Sequence, residues 1–186
     1  DANADSVQTA PETGTNLALF VKLLTRTGTT CATTAQQAAT VNPTTGAYVF
    51  SGVSEGSYCL VLDTNNTLSD VSPTYPAGWV GTENDPGLRS IDLAAGDSAG
   101  LYFGLVQGAR LSGRVFEDNG QSGGVANNGV FDGQESGLND VAIEVRHSSC
   151  GNAVLPLCAS TRTGNDGRWT VVVPSVTSLS GIQVIE

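Results

Sequence analysis

The chain has 186 residues, 39% of them hydrophobic, and its 18 acidic side chains outnumber 8 basic ones, for a net charge of −10. This balance argues against a nucleic-acid-binding protein, because affinity for phosphates depends on clustered lysine and arginine. No apolar run approaches the roughly 18 residues that a membrane span needs, so we expect no membrane insertion. The sequence begins at Asp1 without a signal-peptide pattern, and we interpret it as a mature or internal segment of something longer.

The first element is a candidate calcium loop. Calcium prefers six to eight oxygen ligands, and a 12-residue loop supplies them from side chains at positions 1, 3 and 5, a carbonyl at 7, a hydroxyl or water at 9 and a bidentate carboxylate at 12. Counted from the first residue, these positions are occupied by Asp1, Asn3, Asp5, Val7, Thr9 and Glu12. Position 6, where a sharp turn favours glycine, is Ser6.

Short strands and turns follow the first loop. The stretch 17–24 is apolar and, taken alone, fits a strand or a helix. Further strands are predicted at 57–62, 89–93 and 101–106, with a segment rich in Pro and Asn at 64–87 between the first two. The 23 glycines and the many Thr, Ser and Asn residues favour such a chain of short strands.

The second half opens with a predicted strand at 110–116 and then a second candidate loop. Its closing part keeps the calcium pattern, with Asn128 at position 5, Val130 at 7, Asp132 at 9 and Glu135 at 12. Gly129 occupies position 6, but positions 1 and 3 fall on Gly124 and Ala126, which have no side-chain oxygen. We therefore predict that Asp118, upstream of a Gly-rich insertion, is the displaced first ligand.

The strand after the second loop is clearer than its counterpart in the first half. Val141, Ile143 and Val145 alternate with polar or small residues, as in a half-buried strand. A tight hairpin is predicted at 165–167, because Asn, Asp and Gly tolerate positive φ. Strands at 169–173 and 181–185 complete this half. The alternation resolves the stretch 17–24 as a strand, and it disfavours an EF-hand or a dockerin, in which helices follow the loops.

The two halves are predicted to be copies of one unit. Glu12 and Glu135 are 123 residues apart, and Tyr48 and Trp169 are 121 apart. Such a near-constant offset favours duplication. We place one domain at 1–106, without its opening strand, and a second at 107–186, without its closing strands.

Four cysteines fall as one pair in each half, Cys31 with Cys59 and Cys150 with Cys158. An even count without a CxxC motif favours two disulfides and an oxidising compartment, although reduced buried cysteines stay an alternative. The only histidine is His147, so neither a zinc site nor a Ser-His-Asp arrangement has much support.

The residues resemble a known family. The motifs are 115–118 (Val-Phe-Glu-Asp), 128–141 (Asn-Gly-Val-Phe-Asp-Gly-Gln-Glu-Ser-Gly-Leu-Asn-Asp-Val), 166–169 (Asp-Gly-Arg-Trp) and 102–105 (Tyr-Phe-Gly-Leu). They are similar to the calcium-binding B-repeat domains of bacterial serine-aspartate-repeat adhesins and to similar tandem domains of large bacterial surface proteins. The resemblance covers nearly the whole chain. It implies all-β tandem domains of immunoglobulin-like or prealbumin-like β-sandwich type, in which Ca²⁺ stiffens a stalk.

We therefore expect a non-catalytic, extracellular structural or adhesive module on a bacterial surface or secreted from the cell. Its partners would be neighbouring repeats or subunits of a stalk or fibre, joined by strand complementation. Two alternatives stay open. One is a module that binds a host receptor or a glycan through the segment 64–87, with Tyr75 and Trp79 as the contact; the other is a spacer in a large secreted enzyme. The acidic residues of both loops could also simply cap turns.

Overall fold

A computed structural model describes residues 12–83, 87–96, 100–150, 156–175 and 183–185. The chain divides into two compact units, Asp1–Gln107 and Gly108–Glu186. The described part is all-β, with antiparallel sheets and two single-turn 3-10 helices at Gln121–Gly123 and Ser148–Cys150. None of its helices has the length and apolar character that crossing a bilayer requires.

The first unit is built on a five-stranded antiparallel sheet. Its central pair aligns Phe20 with Asp63 and Thr25 with Tyr58. The shorter strands flank this pair on both sides. The five strands are β1 (Phe20–Thr27), β2 (Thr30–Cys31), β3 (Gln37–Thr40), β4 (Gly56–Asp63) and β6 (Leu88–Leu93), and their order across the sheet is β2-β1-β4-β6, with β3 also paired to β1.

Both faces of this sheet are covered, which explains why the apolar run of β1 does not alternate. Val21 and Leu23 point into one core cluster together with Leu60 and Leu62. Leu24 belongs to a second cluster on the opposite face, together with Cys59 and Val61. A strand buried on both faces carries a continuous apolar sequence, and this is why residues 17–24 fit two interpretations when taken alone.

A further pair of strands completes the first unit. Strand β5 (Trp79–Gly81) pairs with the beginning of β7 (Leu105–Arg114), aligning Trp79 with Gln107. The sequence predicted separate strands at 101–106 and 110–116. In the structure a single strand covers most of this stretch, because Gly108 continues the extended backbone instead of turning it.

The second unit uses the rest of β7. Residues 108–114 pair antiparallel with β10 (Arg168–Pro174), and a separate three-stranded sheet has the order β11-β8-β9. Its core cluster contains Val145, Val171 and Val173. The strands of that sheet are β8 (Ala142–Arg146), β9 (Leu157–Arg162) and β11 (Gln183–Ile185).

Each unit contains one disulfide. Cys31 of β2 is joined to Cys59 of β4, and Cys150 is joined to Cys158 of β9. The predicted all-β class and both predicted cysteine pairings are confirmed.

Candidate metal centre

The loop between β7 and β8 is closed at its base by a short antiparallel ladder. The amide of Glu117 donates to the carbonyl of Ser136 at 2.9 Å, and the amide of Leu138 donates to the carbonyl of Val115 at 2.9 Å. An isolated bridge between Phe116 and Gly137 lies between these bonds. This base brings residues 118 and 135 to the two ends of one closed loop, so ligands 17 positions apart in sequence lie in one compact region.

Glu135 holds the loop together from inside. Glu135 is only 5% exposed. Its two carboxylate oxygens accept from the amides of Gly120 at 2.9 Å and Asp132 at 3.1 Å. A buried carboxylate that accepts two amide hydrogens replaces part of the hydration that it loses. The residue that the sequence placed at the closing position thus fixes the fold of the loop.

Asp118 lies in the same loop, shortly after the end of β7. Its Oδ2 accepts from the amide of Gly129 at 2.7 Å, and its carbonyl accepts from the amide of Asn127 at 3.3 Å. Gly129 has φ +71°, the left-handed conformation that a glycine at position 6 adopts without steric cost. The other oxygen, Oδ1, is inaccessible to solvent and has no hydrogen-bond partner among the described residues. An unpaired carboxylate oxygen in such a place is costly unless a further donor or a cation reaches it.

Asp132 and Asn128 form the opposite side of the loop. Asp132 accepts from the amide of Val125 at 3.1 Å through Oδ1 and from the side-chain amide of Asn128 at 3.0 Å through Oδ2. The Oδ1 of Asn128 accepts from the amide of Val130 at 2.7 Å. Gly124 lies so close that a Cβ there would overlap Oδ1 of Asp132. The position that lacks an acidic side chain is therefore occupied by the Asp132 carboxylate.

The oxygen atoms of this loop are of the kind that binds a hard cation, but their arrangement is not that of a complete metal site. All the candidate ligands are oxygen atoms, which calcium prefers. Within the described ranges, however, no three Asp, Glu, His or Cys side chains converge as metal ligands do. Calcium would be held by Asp118, Asn128, Asp132 and Glu135 with the carbonyl of Val130, and the side chains of Asn128 and Asp132 would have to exchange their mutual hydrogen bond for the ion.

Most of the first predicted loop lies outside the described residues. This applies to Asp1, Asn3, Asp5, Val7 and Thr9. Only Glu12 is described, and it is half-buried.

A polar cluster in the first unit was not predicted at all. Lys22 and Asp63 are both fully buried, and the Lys22 Nζ lies 2.5 Å from Oδ2 of Asp63. The same Nζ donates to Oδ1 of Asn65 at 3.2 Å and to the carbonyl of Asp70 at 2.6 Å. The Asp63 Oδ1 accepts from the hydroxyl of Thr74. Five residues from β1, β4 and the following loop thus satisfy one ammonium and one carboxylate.

The Asp63 carboxyl is held in its charged form. Burial raises its pKa, but hydrogen bonds from Lys22, Thr74 and the Thr64 amide, with the positive charge of Lys22, together outweigh that effect. The pKa of Asp63 therefore lies below its usual value. The only sign in the sequence was a lysine in an apolar strand followed, 41 positions later, by an Asp at the end of another strand.

The aromatic residues of the segment 64–87 do not form an exposed pair. Tyr75 and Trp79 are partly buried and pack against the core cluster of the first unit. His147, the only histidine, is also buried.

Comparison with known proteins adds no family to these observations. No family model matches the chain, and no curated protein and no solved structure is significantly similar to it.

Proposed function

We propose that the chain is a non-catalytic, extracellular module of a bacterial surface protein, built from tandem β-sandwich domains of immunoglobulin-like or prealbumin-like type and stabilised by Ca²⁺. In this proposal it acts as a stalk or fibre subunit, and its partners are neighbouring repeats or subunits. The resemblance to B-repeat domains suggested this role.

The observation that supports it best is the Oδ1 atom of Asp118. This carboxylate oxygen is shielded from water and faces no donor among the described residues, while Oδ2 is already bonded to the Gly129 amide. A divalent cation beside Oδ1 would supply the missing partner and would offset repulsion between the acidic side chains of the loop. Glu135 needs no such help to keep the loop closed, because it is already bonded to two amides.

Calcium would act on stability, since it binds the folded loop and hardly the unfolded chain. A ligand at a hundredfold excess over its Kd adds about 2.7 kcal/mol to the free energy of unfolding. A module that is exposed to mechanical load outside the cell gains from such an increment. The two disulfides support the extracellular assignment, because they persist in oxidising compartments.

The packing of the aromatic residues favours a structural role over a glycan-binding one. Sugar-binding aromatic side chains present a ring face to solvent, whereas Tyr75 and Trp79 pack on the core of the first unit. Replacing either residue would thus remove core contacts first.

The test compares thermal unfolding of the whole chain in calcium and in a chelator, with two variants that each remove one negative charge. Asp118→Asn replaces a charged proposed ligand by a neutral amide, which binds Ca²⁺ more weakly. Glu117→Gln is the matched control, because the Glu117 side chain is exposed and the residue joins the ladder through its backbone amide, which donates to the Ser136 carbonyl. We expect calcium to raise the melting temperature of the parent chain and of Glu117→Gln by the same amount. The increment should shrink strongly in Asp118→Asn.

A parent chain whose melting temperature is the same in millimolar calcium and in chelator would refute the calcium role. Equal loss of the increment in both variants would point to general charge screening instead of a site. Magnesium serves as the specificity arm, because it demands a smaller, octahedral arrangement and keeps its water.

A further inference from the structure

Residues 47–51 of the first unit show the exposure pattern of a β-strand but pair with none of the described strands. Exposure alternates along them, with Tyr48 and Phe50 half-buried and packed on the core while Val49 is 80% exposed. No ladder joins them to any described strand, and no backbone hydrogen bond joins Tyr48, Val49 or Phe50 to another described residue. The carbonyls of Ala47 and Ser51 accept from Asn42 and Gln37. The backbone groups of Tyr48 and Phe50, which no described backbone group pairs with, are a template for another strand.

The equivalent segment of the second unit shows the pairing that is missing here. By the offset of 121 that relates Tyr48 to Trp169, residues 47–51 correspond to 168–172 in β10. All of these pair with β7, with Trp169 opposite Gly113 and Val171 opposite Leu111. The two segments also follow similar turns, in which the carbonyl of Ala47 accepts from Asn42 and that of Arg168 accepts from Gly164, both at 2.8 Å.

This pairing specifies the chemistry of a suitable partner. A Cβ on Gly113 would lie 2.7–2.9 Å from atoms of the Trp169 ring, so any other residue there would force the ring to shift. By this correspondence we expect a strand that pairs with residues 47–51 in the same register to have glycine opposite Tyr48 and a large apolar residue opposite Phe50.

Charge adds a second criterion. The part of β7 that pairs with β10, residues 108–114, contains two arginines and no acidic residue. Residues 1–107 carry ten acidic and three basic side chains, a net charge of −7. A basic strand is thus attracted to the first unit, and the attraction speeds its association.

We propose that residues 47–51 are an acceptor edge that binds, in antiparallel orientation, a basic strand of the type formed by residues 108–114 and presented by a neighbouring molecule. A second folded copy of this chain is not the donor, because its own residues 108–114 are already paired with β10. This inference rests on the assembly role proposed above and names the surface that carries it.

The test adds a synthetic peptide with the sequence of residues 107–116 (Gln-Gly-Ala-Arg-Leu-Ser-Gly-Arg-Val-Phe) to the full chain. Binding is measured by fluorescence anisotropy of the labelled peptide, and pairing by hydrogen exchange at the amides of Tyr48 and Phe50, which face the partner in this register. We expect saturable binding, with exchange at these amides fast in the free chain and slowed in the complex.

Three controls separate strand pairing from charge attraction. A scrambled peptide of the same composition keeps the charge and loses the register. The peptide variant Gly113→Val places a branched side chain against the Tyr48 ring and should bind at least about tenfold more weakly. A peptide methylated on the Leu111 amide nitrogen loses a donor that faces the acceptor edge in this register, so it should lose binding while the chain itself is unchanged.

Slow exchange of the Tyr48 and Phe50 amides in the free chain would overturn the proposal, as would equal binding of the scrambled peptide or of Gly113→Val. Dimerisation of the chain alone with protection of these amides would show that the partner is wrongly assigned. All arms are run in calcium and in chelator. Peptide binding without any calcium effect on melting removes only the calcium role, whereas a calcium effect without peptide binding removes only the acceptor edge.

Discussion

Two loops of the molecule compensate the negative charge of their acidic side chains in different ways. In the loop after β4, the ammonium of Lys22 lies 2.5 Å from a carboxylate oxygen of Asp63 and 2.6 Å from the backbone carbonyl of Asp70. In the loop after β7, Asp118 and Asp132 are bonded to amide groups, and no lysine or arginine among the described residues forms an ion pair with them. One loop contains its cation as part of the chain, whereas the other has only neutral donors.

This difference indicates which loop should need an ion from solution for its stability. An ammonium tethered to β1 is present whenever the chain is folded, so the first loop needs no ion from solution. Removing one partner of a buried pair is expensive, because the other charge stays buried without compensation. In the calcium role proposed above, the second loop is completed by an ion from solution, and we therefore expect its stability to follow the calcium concentration.

The largest effect should come from removing the internal cation. Lys22→Met keeps much of the side-chain volume but leaves Asp63 buried without its partner, and we expect a loss of about 3–5 kcal/mol in the free energy of unfolding. Chemical denaturation with and without calcium checks this, and the loss should be the same in both. As a control, Arg26→Gln breaks an ion pair whose Asp92 carboxylate is 76% exposed, and it should cost far less. If Lys22→Met cost no more than Arg26→Gln, the contrast between the two loops would lose its basis.

A smaller effect is expected in the second loop when its closing carboxylate is changed. Glu135→Gln keeps the shape but replaces one oxygen acceptor by a donor that faces an amide hydrogen. A buried polar group without a partner costs about 1–3 kcal/mol. The loss should be visible in chelator by urea unfolding. Gln134→Glu adds an acid at the neighbouring exposed position and serves as the control that leaves the internal bonds in place. A Glu135→Gln chain as stable as the parent in chelator would show that the two amide bonds do not hold the loop.

The smallest effect concerns acid. The pKa of Asp63 is lowered in the folded state, so ionised Asp63 contributes stability above its unfolded value of about 3.9, and that contribution is lost as the pH falls from there through the folded pKa. Thr74→Val removes one hydrogen bond that lowers this pKa, and the acid-unfolding midpoint should move to higher pH. Thr74→Ser keeps the hydroxyl and should leave the midpoint unchanged. Tryptophan fluorescence between pH 7 and pH 2 measures both, and identical midpoints for the Val and Ser variants would contradict the role of Thr74.

Local pattern was enough to predict most strands. Alternation placed β8 and β10 within one residue of their starts, and the Asn-Asp-Gly sequence placed the turn before β10. Residues 47–51 were matched by sequence to part of β10, yet they form no ladder with described strands, because a ladder depends on a partner that the pattern of a single segment does not reveal.

The site was less accessible to sequence reasoning. Spacing assigned Asn128, Asp132 and Glu135 to one loop, with Asp118 as a displaced ligand upstream, but it did not reveal that amide groups already bond both oxygens of Glu135. The cluster around Lys22 was missed because its members come from distant positions and only the folded sheet brings them together. A lysine inside an apolar strand is the one local sign of such a cluster. Because burying an unpaired charge costs much free energy, such a lysine predicts a buried partner.

The bond between Cys31 and Cys59 has a consequence for a chain pulled from its ends. The cysteines are 28 residues apart, and a fully extended chain spans about 3.3–3.6 Å per residue. The disulfide carries the pulling force past that stretch, so roughly 90–100 Å of contour length is not released when the first unit unfolds. The turn at 43–46 and residues 47–51 lie inside the shielded stretch. Force that unfolds the rest of the unit would therefore leave these residues within a covalently closed loop. They could refold there without first being brought together from an extended chain.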